Sequence, residues 1–214
     1  MSFDSMASSM GARVAVLVSG GGTNLQALLD DPGVAPAIAL VVSDRPGVRA
    51  LERAAERAVP AVVVDPKDHR DRVAWEGALL DALQAHEIDT IVSAGWMRLL
   101  GAAVLESFPG RVVNVHPALL PSFPGMHGVR DALAYRVKVT GVTVHLVDEG
   151  TDTGPIVLQE AVEIREDDDW DSLESRIHDV EHRLLPRAVR ALLEDRLVVE
   201  GRHVRIEPET EGEA

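Results

Sequence analysis

The sequence predicts a Rossmann-like α/β domain, a mostly parallel doubly wound sheet with an antiparallel extension toward the C-terminus. Three observations carry this expectation. Short β-branched runs alternate with longer helical patterns up to His116. A glycine-rich turn, Ser19 to Asn24, joins the first apolar run to a helical one. Beyond Thr140 the alternation stops, and two strand-like runs follow each other across a loop rich in Gly and Asp.

Taken in order, Arg13 to Val18, Ile38 to Val42, Ala61 to Val64, Thr90 to Ala94 and Val112 to His116 have the composition of buried strands. Helical periodicity fits Asn24 to Leu29, Val48 to Arg57 and Arg70 to His86. In the last of these, Val73, Leu79, Leu80 and Leu83 are expected to share one apolar face. Thr140 to Leu146 and Ile156 to Val162 read as the antiparallel pair, joined through Asp148 to Gly154. A long final helix is expected from Asp169 or Asp171, whose carboxylates suit an N-cap, toward Leu193, with Pro186 as a kink. Two short strands flanking Gly201 close the domain.

A chain of 214 residues suits one such domain, here 13–207, between a loose tail at 1–12 and an acidic tail at 208–214. With 46% apolar and 26% charged residues, burial alone can drive folding. The absence of cysteine excludes disulfides, thiolate zinc sites and a cysteine nucleophile. A net charge of −14 opposes nucleic-acid binding, which depends on Lys and Arg displacing counterions. No apolar run approaches the length of a membrane span and no secretory signal opens the chain, so a cytoplasmic location is expected. The His and Asp residues lack a compact metal-ligand spacing, and no metal is expected. Apolar positions around Leu99 to Val104 suit either the core or the interface of a homodimer.

The turn Ser19-Gly20-Gly21-Gly22-Thr23-Asn24 would direct backbone N–H groups and a helix N-terminus at an anion. It is neither a phosphate loop of the Gly-Lys-Ser/Thr type nor a dinucleotide fingerprint, because Leu25 stands where the third glycine would be. A tight strand-to-helix turn with Asn24 as N-cap explains the same residues without a ligand.

Asn114 and His116, two apart at the carboxyl end of a strand, project to the same side, where α/β sheets place ligands. An amide and an imidazole suit stabilising an oxyanion in acyl transfer. His116 is expected to be a surface-facing site residue, with the proline-rich stretch Pro117 to Gly125 holding the crossing loop stiffly beside the site. Asp152, in the Asp148 to Gly154 loop, is placed to orient or protonate His116 if its strand neighbours the one bearing His116. Singly, each is as well explained as a strand histidine or a turn aspartate.

The strings VLVSGGGTNLQALL, AGWMRLL, RVVNVHPALLPSFPGMHG and VHLVDEGTDTGPIVLQ, with Glu181-His182, resemble the phosphoribosylglycinamide formyltransferase family in order and separation, from Arg13 to Leu197. The Asn-x-His-Pro-x-Leu-Leu-Pro core followed by Asp-x-Gly-Pro is shared by enzymes that transfer or remove the formyl group of folates. The resemblance implies formyl transfer from 10-formyltetrahydrofolate, as co-substrate, to the amine of glycinamide ribonucleotide in purine synthesis. It implies that Gly22, Thr23 and Asn24 hold the ribonucleotide phosphate, with Glu181 near the glycinamide amine. Arg72, the backbone of Met97, Arg98, Leu99 and Leu100, Asn114 and the Asp148 to Asp152 loop would receive the folate, and Asn114, His116 and Asp152 would form the catalytic trio. Arg72 alone also reads as a surface charge, and Met97, Leu99 and Leu100 as core. Departures are confined to the triple glycine and to Val129, where some members have histidine. The competing expectations are a formyltetrahydrofolate deformylase, although those usually carry an extra N-terminal regulatory domain, and a non-catalytic nucleotide-sensing module.

Overall fold

A computed structural model describes residues 11–209. Most of the expected tail at 1–12, and of the acidic tail at 208–214, lies outside the described residues. Nine strands and six α-helices follow in the described chain: β1 Val14–Val18, α1 Thr23–Asp30, β2 Ile38–Ser43, α2 Arg49–Glu56, β3 Ala61–Val63, α3 Arg72–Ala85, β4 Thr90–Ser93, α4 Ala102–Ser107, β5 Val112–His116, α5 Gly128–Tyr135, β6 Val139–Leu146, β7 Ile156–Glu163, α6 Trp170–Leu193, β8 Leu197–Glu200 and β9 His203–Ile206. The fold is Rossmann-like, with a seven-stranded sheet in the order β3-β2-β1-β4-β5-β6-β7. The first five strands pair parallel, and β6 and β7 add antiparallel. β8 and β9 form a separate two-stranded hairpin.

The strand order reverses between β1 and β4, and the crevice beyond the carboxyl ends of these strands is where such sheets bind ligands. The two-residue period of a buried strand makes both layers at once. Val14, Val16 and Val18 of β1 join one apolar cluster with α1, α2, α5 and α6, while Ala15 and Leu17 join a second with α3 and α4. Leu79 and Leu83 bury fully in that second layer, each worth roughly 1.5–3 kcal/mol. Val73, expected on the same face, is instead 78% exposed. It lies in the first turn of α3, directly after the Asp71 cap and Arg72, where Trp75 rather than Val73 turns into the core.

Asp169, rather than Asp171, caps α6: its side chain accepts from the Ser172 N–H at 2.9 Å in a reciprocal capping box. The helix runs unbroken across the buried Pro186. Helices α4 and α5 escape sequence reading, and for α4 the reason is that six residues give too few turns for a clear period. Val104 joins the core, whereas Leu99 stays 57% exposed. Among the described residues no helix is long and apolar enough to cross a membrane.

Candidate active site

Three loops carry the expected site residues. The first is the glycine turn. Gly22 adopts φ +70°, and a Cβ there would lie 2.7 Å from the Ala50 Cβ, so only glycine fits. Gly22 is the N-cap of α1 and Asn24 the second helical residue, which corrects the N-cap expected at Asn24. With no side-chain cap and no acidic residue in its first turn, α1 leaves free N–H groups for an anion. Arg53 of α2 backs the turn, its Nε donating to the Gly21 carbonyl at 2.9 Å.

The Asn24 side chain does other work. Its amide donates to Glu181 of α6 at 2.8 Å, joining residues 157 apart in sequence. Glu181 is buried, and burial raises its pKa against the opposing pull of Asn24 and of His178. The four residues expected around the ribonucleotide therefore stand together.

The second loop follows β4. Met97 donates its N–H to the Ser19 hydroxyl at 3.0 Å, and Arg72 Nη2 donates to the Leu99 carbonyl at 3.3 Å. Met97 and Leu99 are more than half exposed and so are not core, contrary to the alternative reading. Arg72 also pairs with Glu76 at 2.7 Å. Arg98 turns its side chain inward, Nε donating to Asp44 at 2.7 Å.

The third loop carries Asp152, between β6 and β7. Gly154 is needed because a Cβ would fall 1.8 Å from the Leu146 carbonyl oxygen. Asp148 Oδ1 accepts from the Thr153 hydroxyl at 2.6 Å and the Gly150 N–H at 3.1 Å, which ties the loop to itself. Asp148 is thereby a loop-shaping residue, and its side chain is committed within the loop.

Pairing of β5 with β6 sets Asn114 opposite His145 and His116 opposite Thr143, so four side chains share one face. Asp152 closes over them. Its Oδ2 accepts from the Gly125 N–H at 2.7 Å and lies 3.5 Å from His116 Nδ1, while its Oδ1 lies 3.5 Å from both His145 Nε2 and Asn114 Nδ2. Burial alone would raise the Asp152 pKa, but the His145 ring, the Gly125 N–H and the nearby His116 outweigh it and hold the carboxyl below its usual range. Asp152 is ionised at neutral pH.

His116 is buried, not facing outward as expected, because the stretch from Pro117 to Gly128 folds back over it. Its Nε2–H donates to the Phe123 carbonyl at 2.8 Å, leaving Nδ1 toward Asp152. Burial lowers its pKa; the Asp152 charge and the Phe123 carbonyl oppose that, and His145 adds to it. Sequence reading missed His145. Its Nδ1–H donates to the Leu146 carbonyl at 2.9 Å, which leaves Nε2 to accept from Asn114 Nδ2 at 3.2 Å. The signal was its alternation with Thr143, visible only once β6 is known to pair with β5.

A doubly wound sheet with a glycine turn opening a helix at its switch point, and an amide, an imidazole and a buried carboxylate at the next strand, defines an enzyme that transfers an acyl-type group between two bound substrates. The chain belongs to the formyl transferase family, whose model matches residues 12–189, and within it to the phosphoribosylglycinamide formyltransferases. It is 53% identical over 192 residues, 89% of each chain, to the phosphoribosylglycinamide formyltransferase of Mycobacterium tuberculosis. To that of Bacillus subtilis it is 41% identical, covering 85% of this chain and 94% of the relative. The crystal structure of glycinamide ribonucleotide transformylase 1 from Symbiobacterium toebii superposes with a TM-score of 0.88 at 47% identity, covering 92% of this chain and 94% of that one.

Proposed function

We propose that the protein transfers the formyl group of 10-formyltetrahydrofolate to the amine of N1-(5-phospho-D-ribosyl)glycinamide, releasing tetrahydrofolate in purine synthesis, and that it works in the cytoplasm. The observation that carries the reading is the convergence of Asn114, His116 and Asp152 at β5, next to the strand whose following loop bonds to the glycine turn. In this reading Gly22, Thr23 and Asn24 hold the phosphate and Glu181 stands near the glycinamide amine. Arg72, the backbone of residues 97–100, Asn114 and the Asp148 to Asp152 loop receive the folate.

The main task is to hold the amine against the formyl carbon in attack geometry. The neutral amine nitrogen attacks that carbon, and negative charge grows on the formyl oxygen. Asn114 donates to this oxygen, and so does His116, whose Nε2–H exchanges the Phe123 carbonyl for it. Charge on that oxygen together with ionised Asp152 draws a proton onto His116. Asp152 takes the proton that the amine loses, directly or through water. Asp152 then passes that proton through water to the leaving folate nitrogen as its bond to the formyl carbon breaks, and His116 returns to solvent the proton it took from there, so both products leave neutral at the reacting atoms.

The test measures tetrahydrofolate release from 10-formyltetrahydrofolate with and without glycinamide ribonucleotide, with mass spectrometry of the product. Release that requires the ribonucleotide and yields its formyl derivative supports the proposal. Release without it establishes the deformylase instead, and folate binding without turnover a sensing module.

A further inference from the structure

One buried charge has no part in the chemistry above. Asp44 follows β2 and is 1% exposed. An ion so buried is costly unless it is paired, and two guanidiniums converge on it. Arg98 Nε donates to Oδ2 at 2.7 Å, and Arg45 donates to both oxygens, Nε to Oδ1 at 3.1 Å and Nη2 to Oδ2 at 3.3 Å. Burial would raise its pKa, but these partners hold it below the usual carboxylate range.

From Arg98 a chain of hydrogen bonds leads to both parts of the site. Arg98 lies within Met97 to Leu100, and its guanidinium sits 5.9 Å over the Trp75 ring, itself stacked on Trp96. Its cation is thus spent on the protein, and the segment presents backbone and the exposed Met97 and Leu99 to the site. Ser19 opens the glycine turn, and its hydroxyl accepts the Met97 N–H at 3.0 Å while the Ser19 N–H donates to the Gly95 carbonyl at 3.2 Å. The carboxylate therefore fixes the loop after β4 through Arg98, and that loop holds the entrance to the glycine turn through Ser19.

We propose that Asp44 is a positioning residue that sets the spacing between the two substrate subsites, acting on the 97–100 segment through Arg98 and, by way of that segment's Met97 to Ser19 hydrogen bond, on the glycine turn. The inference rests on the reading that the turn takes the ribonucleotide phosphate and the 97–100 backbone the folate. A carboxylate is required because an amide offers a single acceptor oxygen and turns N–H groups toward a guanidinium.

The test compares Asp44→Asn, Ser19→Ala and the double variant with wild type in full steady-state kinetics over both substrates. Asp44→Asn is expected to raise KM for 10-formyltetrahydrofolate about tenfold and for the ribonucleotide by roughly threefold or more, with kcat within about threefold. Ser19→Ala, which keeps the carboxylate, raises both KM values less, and the double variant falls short of the product of the single effects. KM does not depend on the fraction of enzyme folded, so a purely structural Asp44 would lower thermal stability and leave both KM values unchanged. That outcome, in either single variant, overturns the proposal while ribonucleotide-dependent turnover of wild type keeps the functional reading intact. Wild type without such turnover overturns both.

Discussion

Substituting Asp152 by Asn keeps the shape of the site and removes one charge. The carboxylate stands 3.5 Å from His116 Nδ1 and from His145 Nε2, and no other carboxylate pairs with either ring among the described residues. At an effective dielectric constant of about 20, a unit charge pair at this distance interacts by roughly 5 kcal/mol, an upper bound for what an imidazolium at His116 gains. Part of that is offset because the amide oxygen can still accept from the Gly125 N–H, so a loss near 3–4 kcal/mol in the transition state is expected. This corresponds to about 200- to 1000-fold in kcat, with both KM values within about threefold. Direction and sign are checked by the titration of His116, followed by NMR. The Asp152 charge raises the His116 pKa against burial, so in Asp152→Asn that pKa must fall further below the ordinary histidine value. A kcat within threefold of wild type, or an upward shift of His116, would refute the reasoning.

Three further outcomes follow from the geometry. Gly22→Ala places a Cβ against Ala50 at φ +70° and should cost about 2–4 kcal/mol, while raising KM for the ribonucleotide at least about tenfold; chemical denaturation and kinetics check both. Asp169→Ala removes the α6 cap far from the reacting groups, so calorimetry should show about 1 kcal/mol lost, near 3 °C in Tm, with kcat and KM unchanged. His116 and His182 are both lowered, chiefly by burial, so the unfolded chain takes up protons first as pH falls below about 6.5 and their stability contribution is lost from there downward. Glu181, raised by burial, works in the opposite sense above about 4.5. Thermal melts of His182→Gln should therefore show a shallower decline than wild type between about pH 6.5 and 5.5, and an identical slope would contradict the assignment.

The periodicity of the chain was enough to read the parallel sheet, the antiparallel pair and most helices, because each depends on local spacing of apolar residues. The turn at Gly22 and the pairing of Asn114 with His116 on one face were legible for the same reason: φ preference and strand alternation act over a few residues. What local spacing does not contain is which residues from distant elements meet. The Asn24 to Glu181 bond, the reach of Asp152 across to His116, the entry of His145 and the inward turn of Arg98 to Asp44 all depend on strand order and on how α6 and the loops pack over the sheet. The outward His116 and the apolar Val73 failed on that account, since a side chain's exposure is set by what folds over it. The sequence by itself determined the elements, their faces and the chemical groups at the carboxyl edge; the tertiary structure alone decided their partners and burial, because solvation and charge at each group come from neighbours that chain order does not name.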